Sequence, residues 1–227
     1  GPNAVIARTT EFDDYMHGAD VVVEFNLGEE AGPERIALGV DASMRADALT
    51  VDRKVRRNIK KVTGGEDPAK VKYFRSQIPD ADGNFFEGSL DAVVPVVIGI
   101  DGERCDKLMG TFAQLIKLRR NKERTETIKN LTREKTREMQ NHPAQRVFLE
   151  EMKMQLEMYA ELLGKGNADQ RHAVYKEKVA SALVIVDEVL ESKQDIELGE
   201  FEEDGILDVI KAVVEEALRS PEFNPDL

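Results

Sequence analysis

A single cysteine, Cys105, stands among 227 residues, so the chain closes no disulfide on itself and suits a reducing, cytoplasmic setting. Histidine is almost as scarce. His17, His142 and His172 are far apart and have no cysteine partners, which argues against a zinc site of the usual spacing. Tryptophan is absent and aromatics make up 6% of the chain. No run of 18 apolar residues exists, so the sequence predicts no membrane-spanning helix. No glycine-rich loop of phosphate-binding spacing follows a strand, which sets aside the common nucleotide-binding folds. Positive charge is also short: 32 Lys and Arg against 44 Asp and Glu give a net charge of −12, unlike a protein that binds nucleic acid all over its surface. The opening Gly1-Pro2 resembles the scar of a cleaved affinity tag, which leaves any native leader unread.

What is present is unevenly distributed. With 41% hydrophobic residues the chain has ample material for one or two cored domains. Basic residues concentrate in two stretches: residues 53–75 hold 9 against 2 acidic, and residues 117–137 hold 9 against 3. The segment 138–227 reverses this, with 9 basic and 21 acidic residues.

The sharpest chemical signal lies in the stretch 18–45. Val21, Val23, Phe25 and Leu27 alternate with Asp20, Val22, Glu24 and Asn26, the period of a half-buried strand. Ile36, Leu38 and Val40 alternate in the same way with Ala37, Gly39, Asp41 and Ser43. The residues Gly28 to Pro33 between them are turn formers. Antiparallel pairing about the centre of that loop sets Asp20 opposite Asp41 and Glu24 opposite Ala37. Cross-strand Cβ atoms lie about 4.5–5.5 Å apart, and two carboxylates that close repel unless a positive group intervenes. Acids also collect at strand ends simply because strand ends meet water. The small residues Ala37, Gly39, Ala42 and Ser43 around Asp41 leave room for a substrate or an ion.

Upstream, Thr9 and Thr10 followed by Glu11, Asp13 and Asp14 predict a short helix over 10–16. Downstream, residues 46–63 predict a helix with Leu49, Val55, Ile59 and Val62 inward, ended by Gly64-Gly65. Its other faces carry Lys54, Arg57, Lys60 and Lys61, either as a solvated surface or as a phosphate-contacting one. Lys70 to Arg75 predicts a strand, 76–92 a loop, Val93 to Ile100 a strand covered on both faces, and a helix begins near Glu103. The fold class expected is therefore α/β, a mixed sheet flanked by helices over 1–120. A charged helical connector over 121–140 and an α-helical region over 141–227, with three amphipathic helices, complete the chain.

The order Glu11 in a short helix, Asp20 heading a strand and Asp41 near the end of its partner resembles the PD-(D/E)XK nuclease superfamily, its bacterial members in particular. The resemblance covers about residues 9–117. It implies a restriction-endonuclease-like core, with Glu11, Asp20 and Asp41 as ligands of Mg2+ or Mn2+ and a water activated against a phosphodiester. The family's third motif places a lysine two residues after its acid, and here that position is Ser43. Lys72 on the next strand, or Lys54 or Arg45 near the following helix, would have to supply the cation. The resemblance thus implies either a metal-dependent nuclease, with Lys54, Arg57, Lys60 and Lys61 on the nucleic acid, or an inactive nuclease-fold scaffold. In the second case the acidic helical half would bind a protein partner.

Overall fold

The protein is described by a computed structural model covering residues 4–11, 13, 19–25, 36–44, 47–64, 66–79, 82–123, 125–165, 170–221 and 223. It is mixed α/β, with one four-stranded mixed sheet and one two-stranded sheet. In the larger sheet β1 (Ala4–Arg8), β2 (Val21–Phe25), β3 (Ile36–Met44) and β6 (Val94–Ile100) lie in the order β1-β2-β3-β6. β1–β2 and β2–β3 are antiparallel, and β3–β6 is parallel. Val21 pairs with Val40 and Glu24 with Ala37, the register the alternating apolar residues predicted. β1 was not anticipated: Ala4-Val5-Ile6-Ala7-Arg8 is too short to show a period of its own. Of the short helix expected over 10–16, Glu11 and Asp13 are helical, and residues 12 and 14–16 lie outside the described residues.

The α1 helix (Ala48–Thr63) connects β3 to the second sheet. The Asp47 carboxylate caps it by accepting from Thr50 N–H at 2.9 Å, and Gly64 ends it at φ 95°, a conformation glycine takes without steric cost. Val51, Val55, Ile59 and Val62 bury one face. The second sheet pairs β4 (Val71–Pro79) with β5 (Phe85–Leu90). The loop expected over 76–92 is thus corrected: most of it belongs to this hairpin. Its sequence hid it because all of β5 from Phe85 to Ser89 is exposed, so no buried face imposes a period.

β6 is buried on both faces, as its continuous apolar sequence predicted. Next come α2 (Gly102–Arg120) and α3 (Glu126–Gln140), then α4 (Pro143–Lys165), α5 (Gln170–Glu191) and α6 (Gly205–Arg219). Of the charged helical connector expected over 121–140, residues 126–140 form α3, which buries no residue, and α2 ends just before it at Arg120. The last three helices pack on the sheet. Leu38, Val40, Val96 and Val97 share one apolar core with Val55 and Ile59 of α1, Leu156 and Tyr159 of α4, Val179 of α5 and Ile210 of α6. A smaller cluster of Ala7, Val22, Val71, Phe74 and Val93 joins the hairpin to the sheet. Among the described residues no helix is long and apolar enough to cross a membrane.

Among the described residues β6 pairs only with β3, so its other edge would leave amides and carbonyls unpaired inside the protein. Side chains of α4 pair with them. Tyr159 Oη donates to Pro95 O at 3.0 Å, and Gln155 both accepts from Val97 N–H at 3.0 Å and donates to Val97 O at 2.7 Å. Glu151 Oε2 accepts from Gly99 N–H at 2.9 Å. Residues 151, 155 and 159 are four apart and share one helix face, so the helix substitutes for a fifth strand.

Candidate functional site

The site is assembled where β2, β3 and α1 meet. Asp20 immediately precedes β2, and its N–H donates to Val40 O at 3.0 Å while its Oδ2 accepts from Ala42 N–H at 2.7 Å. The Asp20 carboxylate therefore ties the start of β2 to β3 beside Asp41. Asp41 is 5% exposed. Burial pushes its carboxyl above the ordinary range and the charge of Asp20 adds to this, while Lys54 and Arg57 oppose it. The repulsion expected from the register is thus present, and the positive groups that offset it come from α1.

Lys54 Nζ lies 2.5 Å from Asp41 Oδ1 and 2.9 Å from Ser43 Oγ. Arg57 follows at 3.7 Å from Asp41 Oδ2, too long for a hydrogen bond, and its buried Nε has no partner. The Lys61 ammonium is held below its ordinary pKa by burial and then by Arg57. At about 100° per residue, Lys54, Arg57 and Lys61 fall on one stripe of the helix and Lys60 lies off it. The strip Asp20, Asp41, Ser43, Lys54, Arg57, Lys61 is therefore a pair of acids lined by three cations.

The other expected site residues lie elsewhere. Glu11 is exposed, and among the described residues no three His, Cys, Asp or Glu side chains form a group able to hold a metal ion. Lys72 is exposed on β4, with its ammonium 5.2 Å over the Tyr73 ring. The lysine that reaches Asp41 is Lys54. Arg45, the remaining possible source, lies outside the described residues.

Two acids not singled out by sequence are buried here. Asp13 accepts from Lys72 N–H at 2.7 Å and Tyr73 N–H at 3.1 Å. Glu24 accepts from Ser76 Oγ at 2.6 Å. Both fasten the hairpin to the main sheet. Glu24 falls on the polar half of the β2 alternation, where the sequence reads as a solvated residue, so no signal marked it.

Asp20 and Asp41 offer hard carboxylate oxygens of the kind Mg2+ and Mn2+ prefer. Asp20 Oδ1 accepts no hydrogen bond from the described residues, which leaves a lone-pair face for a cation. These two carboxylates are part of the oxygen donor set such an ion would need. No protein-family model matches the chain, and no curated protein or solved structure matches it.

Proposed function

We propose that this chain binds nucleic acid and hydrolyses its phosphodiester bonds with the help of a divalent cation, on a restriction-endonuclease-like core. The observation that carries the reading is the position of Lys54 Nζ, between Asp41 Oδ1 and Ser43 Oγ. The resemblance requires an ammonium beside the acid of the third strand, and here the strand carries a serine that holds a lysine from the following helix. Asp20 and Asp41 would hold Mg2+ or Mn2+, which when bound lowers the pKa of a water and stabilises charge on the phosphoryl oxygens. Lys54 keeps Asp41 oriented and sets a positive charge where negative charge grows on the phosphate. Arg57, only loosely paired with Asp41 and with its side chain partly exposed, has guanidinium donors to give a phosphate oxygen, and Lys61 extends the positive strip along the backbone.

A second reading is favoured by the same geometry. Asp41 already has Lys54 and Arg57, and one oxygen of Asp20 already has Ala42 N–H. A protein that had lost catalysis would keep these bonds as structure and use the acidic helical half for a protein partner.

Incubation of labelled single- and double-stranded DNA and RNA with Mg2+ or Mn2+ separates the two. Cleavage that disappears in both Asp41→Asn and Lys54→Met supports the nuclease. Binding without cleavage supports the scaffold, and cleavage unchanged in both variants overturns the site assignment.

A further inference from the structure

The β4 strand is irregular at its start. Val71 pairs with Leu90 and Phe74 with Gly88, so Lys72 and Tyr73 together stand opposite the single Ser89. An extra residue on one strand breaks the alternation of side chains and re-aims them. Lys72 and Tyr73, which would otherwise point to opposite faces, are both exposed, with Tyr73 at 56%.

This bulge is fastened from beneath. Asp13 is fully buried and uses its two carboxylate oxygens on the adjacent N–H groups of Lys72 and Tyr73. Its Oδ2 also accepts from Thr10 Oγ1 at 2.9 Å. Thr9, one residue earlier, donates through Oγ1 to Asp20 O at 2.9 Å. One short segment, Thr9 to Asp13, therefore links the Asp20–Asp41 pair to the bulge. Lys72 lies over the exposed ring, and a second cation, Lys70, is exposed three residues before Tyr73. A cation beside an outward-facing aromatic ring suits a ligand with flat apolar faces on an anionic backbone.

We infer that Tyr73 and Lys72 form a stacking step for one unpaired base of a single-stranded nucleic acid, Lys72 and Lys70 meeting its phosphates. This rests on the nucleic-acid reading above and narrows it to a substrate class. In a duplex both faces of each base are covered by neighbouring bases, so a ring projecting from a bulge finds a free face only on a single strand or a splayed end.

The test is binding in EDTA at low salt, where cleavage plays no part, followed by anisotropy of a labelled thymidine oligonucleotide and of a duplex of the same length. The wild type is expected to prefer the single strand. Tyr73→Ala is expected to lose about 10-fold on the single strand and little on the duplex, while Tyr73→Phe, which keeps the ring, retains the wild-type affinity. Lys72→Ala is expected to lower affinity and flatten its salt dependence. Tyrosine emission gives a second reading. The chain has no tryptophan and four tyrosines, of which Tyr159 and Tyr175 are fully buried, so in a Tyr15→Phe background quenching by the oligonucleotide should shrink in Tyr73→Phe although binding persists. The stacking step is overturned if Tyr73→Ala binds the single strand like wild type, loses both forms equally, or is matched by Tyr73→Phe. Failure of the wild type to bind either form overturns the nucleic-acid reading itself, a distinct result. Asp41→Asn, run beside these, should lose cleavage and keep the single-strand preference.

Discussion

Removal of the Lys54 ammonium would leave Asp41 buried with Arg57, 3.7 Å away, and the more distant Lys61 to answer its charge among the described residues. Burial already raises the Asp41 carboxyl, and Lys54 is the largest influence holding it down. A carboxyl takes a cation only when ionised. Wild-type Mn2+ affinity should therefore fall as the pH drops through the raised Asp41 value, and in Lys54→Met the fall should begin at higher pH. Titration calorimetry with Mn2+ over a pH series checks this, and identical profiles would contradict it. Glu151 presents the opposite case, a buried acid with no cation paired to it among the described residues. Its Oε1 has no hydrogen-bond partner, and burial pushes its pKa well above the usual range. With the folded value raised, the native state holds the proton more tightly than the unfolded chain. Stability then declines as pH rises from the ordinary glutamate value towards the folded one. Glu151→Gln keeps an acceptor for Gly99 N–H and removes the titration. Its melting temperature should fall less than that of wild type between pH 5 and pH 8.

At the scale of elements, the polar face of α4 and the close β3–β6 contact decide how much a change costs. Gln155→Leu fills the same space but orphans both Val97 N–H and Val97 O, at about 1–3 kcal/mol for each buried group left unpaired, measurable by urea unfolding. Gly99 pairs with Ser43, and a Cβ there would meet Ser43 O at 2.6 Å and Ile206 Cγ2 at 2.9 Å. Gly99→Ala should destabilise by about 1–3 kcal/mol and shift Ser43 away from Lys54, so its loss of cleavage should exceed that of a remote variant with equal stability. The register of β2 on β3 was legible because Val21, Val23, Leu38 and Val40 alternate around a loop of turn formers. That register alone brought Asp20 beside Asp41. The Lys54 contact was one of several open choices, since which of three cations reaches an acid depends on the angle at which α1 leaves β3. Asp13 was illegible as a clamp because a buried acid and a solvated one have the same sequence. Glu151 and Gln155 were hidden in the same way, within a helix face marked only by its apolar members.

For the molecule as a whole, the apolar core is shared. Leu38 and Val96 of the sheet meet Leu156, Val179 and Ile210 of three helices far later in the chain. Arg56 of α1 also reaches Glu216 of α6 at 2.5 Å, though that exposed pair adds little. A fragment ending at residue 140 would expose β6 and the inner face of α1, and we expect it to lack a cooperative thermal transition by circular dichroism. A fragment that melts cooperatively would show the α/β part to be self-sufficient. The helix that replaces a fifth strand also affects how the chain is made. Gly99 precedes its partner Glu151 by 52 positions, which at about 5–20 residues per second is a delay of roughly 3–10 s on the ribosome. During that interval the nascent β6 presents bare amides along a valine-rich edge, open to a neighbouring polysome's product or to a chaperone. Slowing synthesis between these two points should lower soluble yield more than slowing it after residue 165.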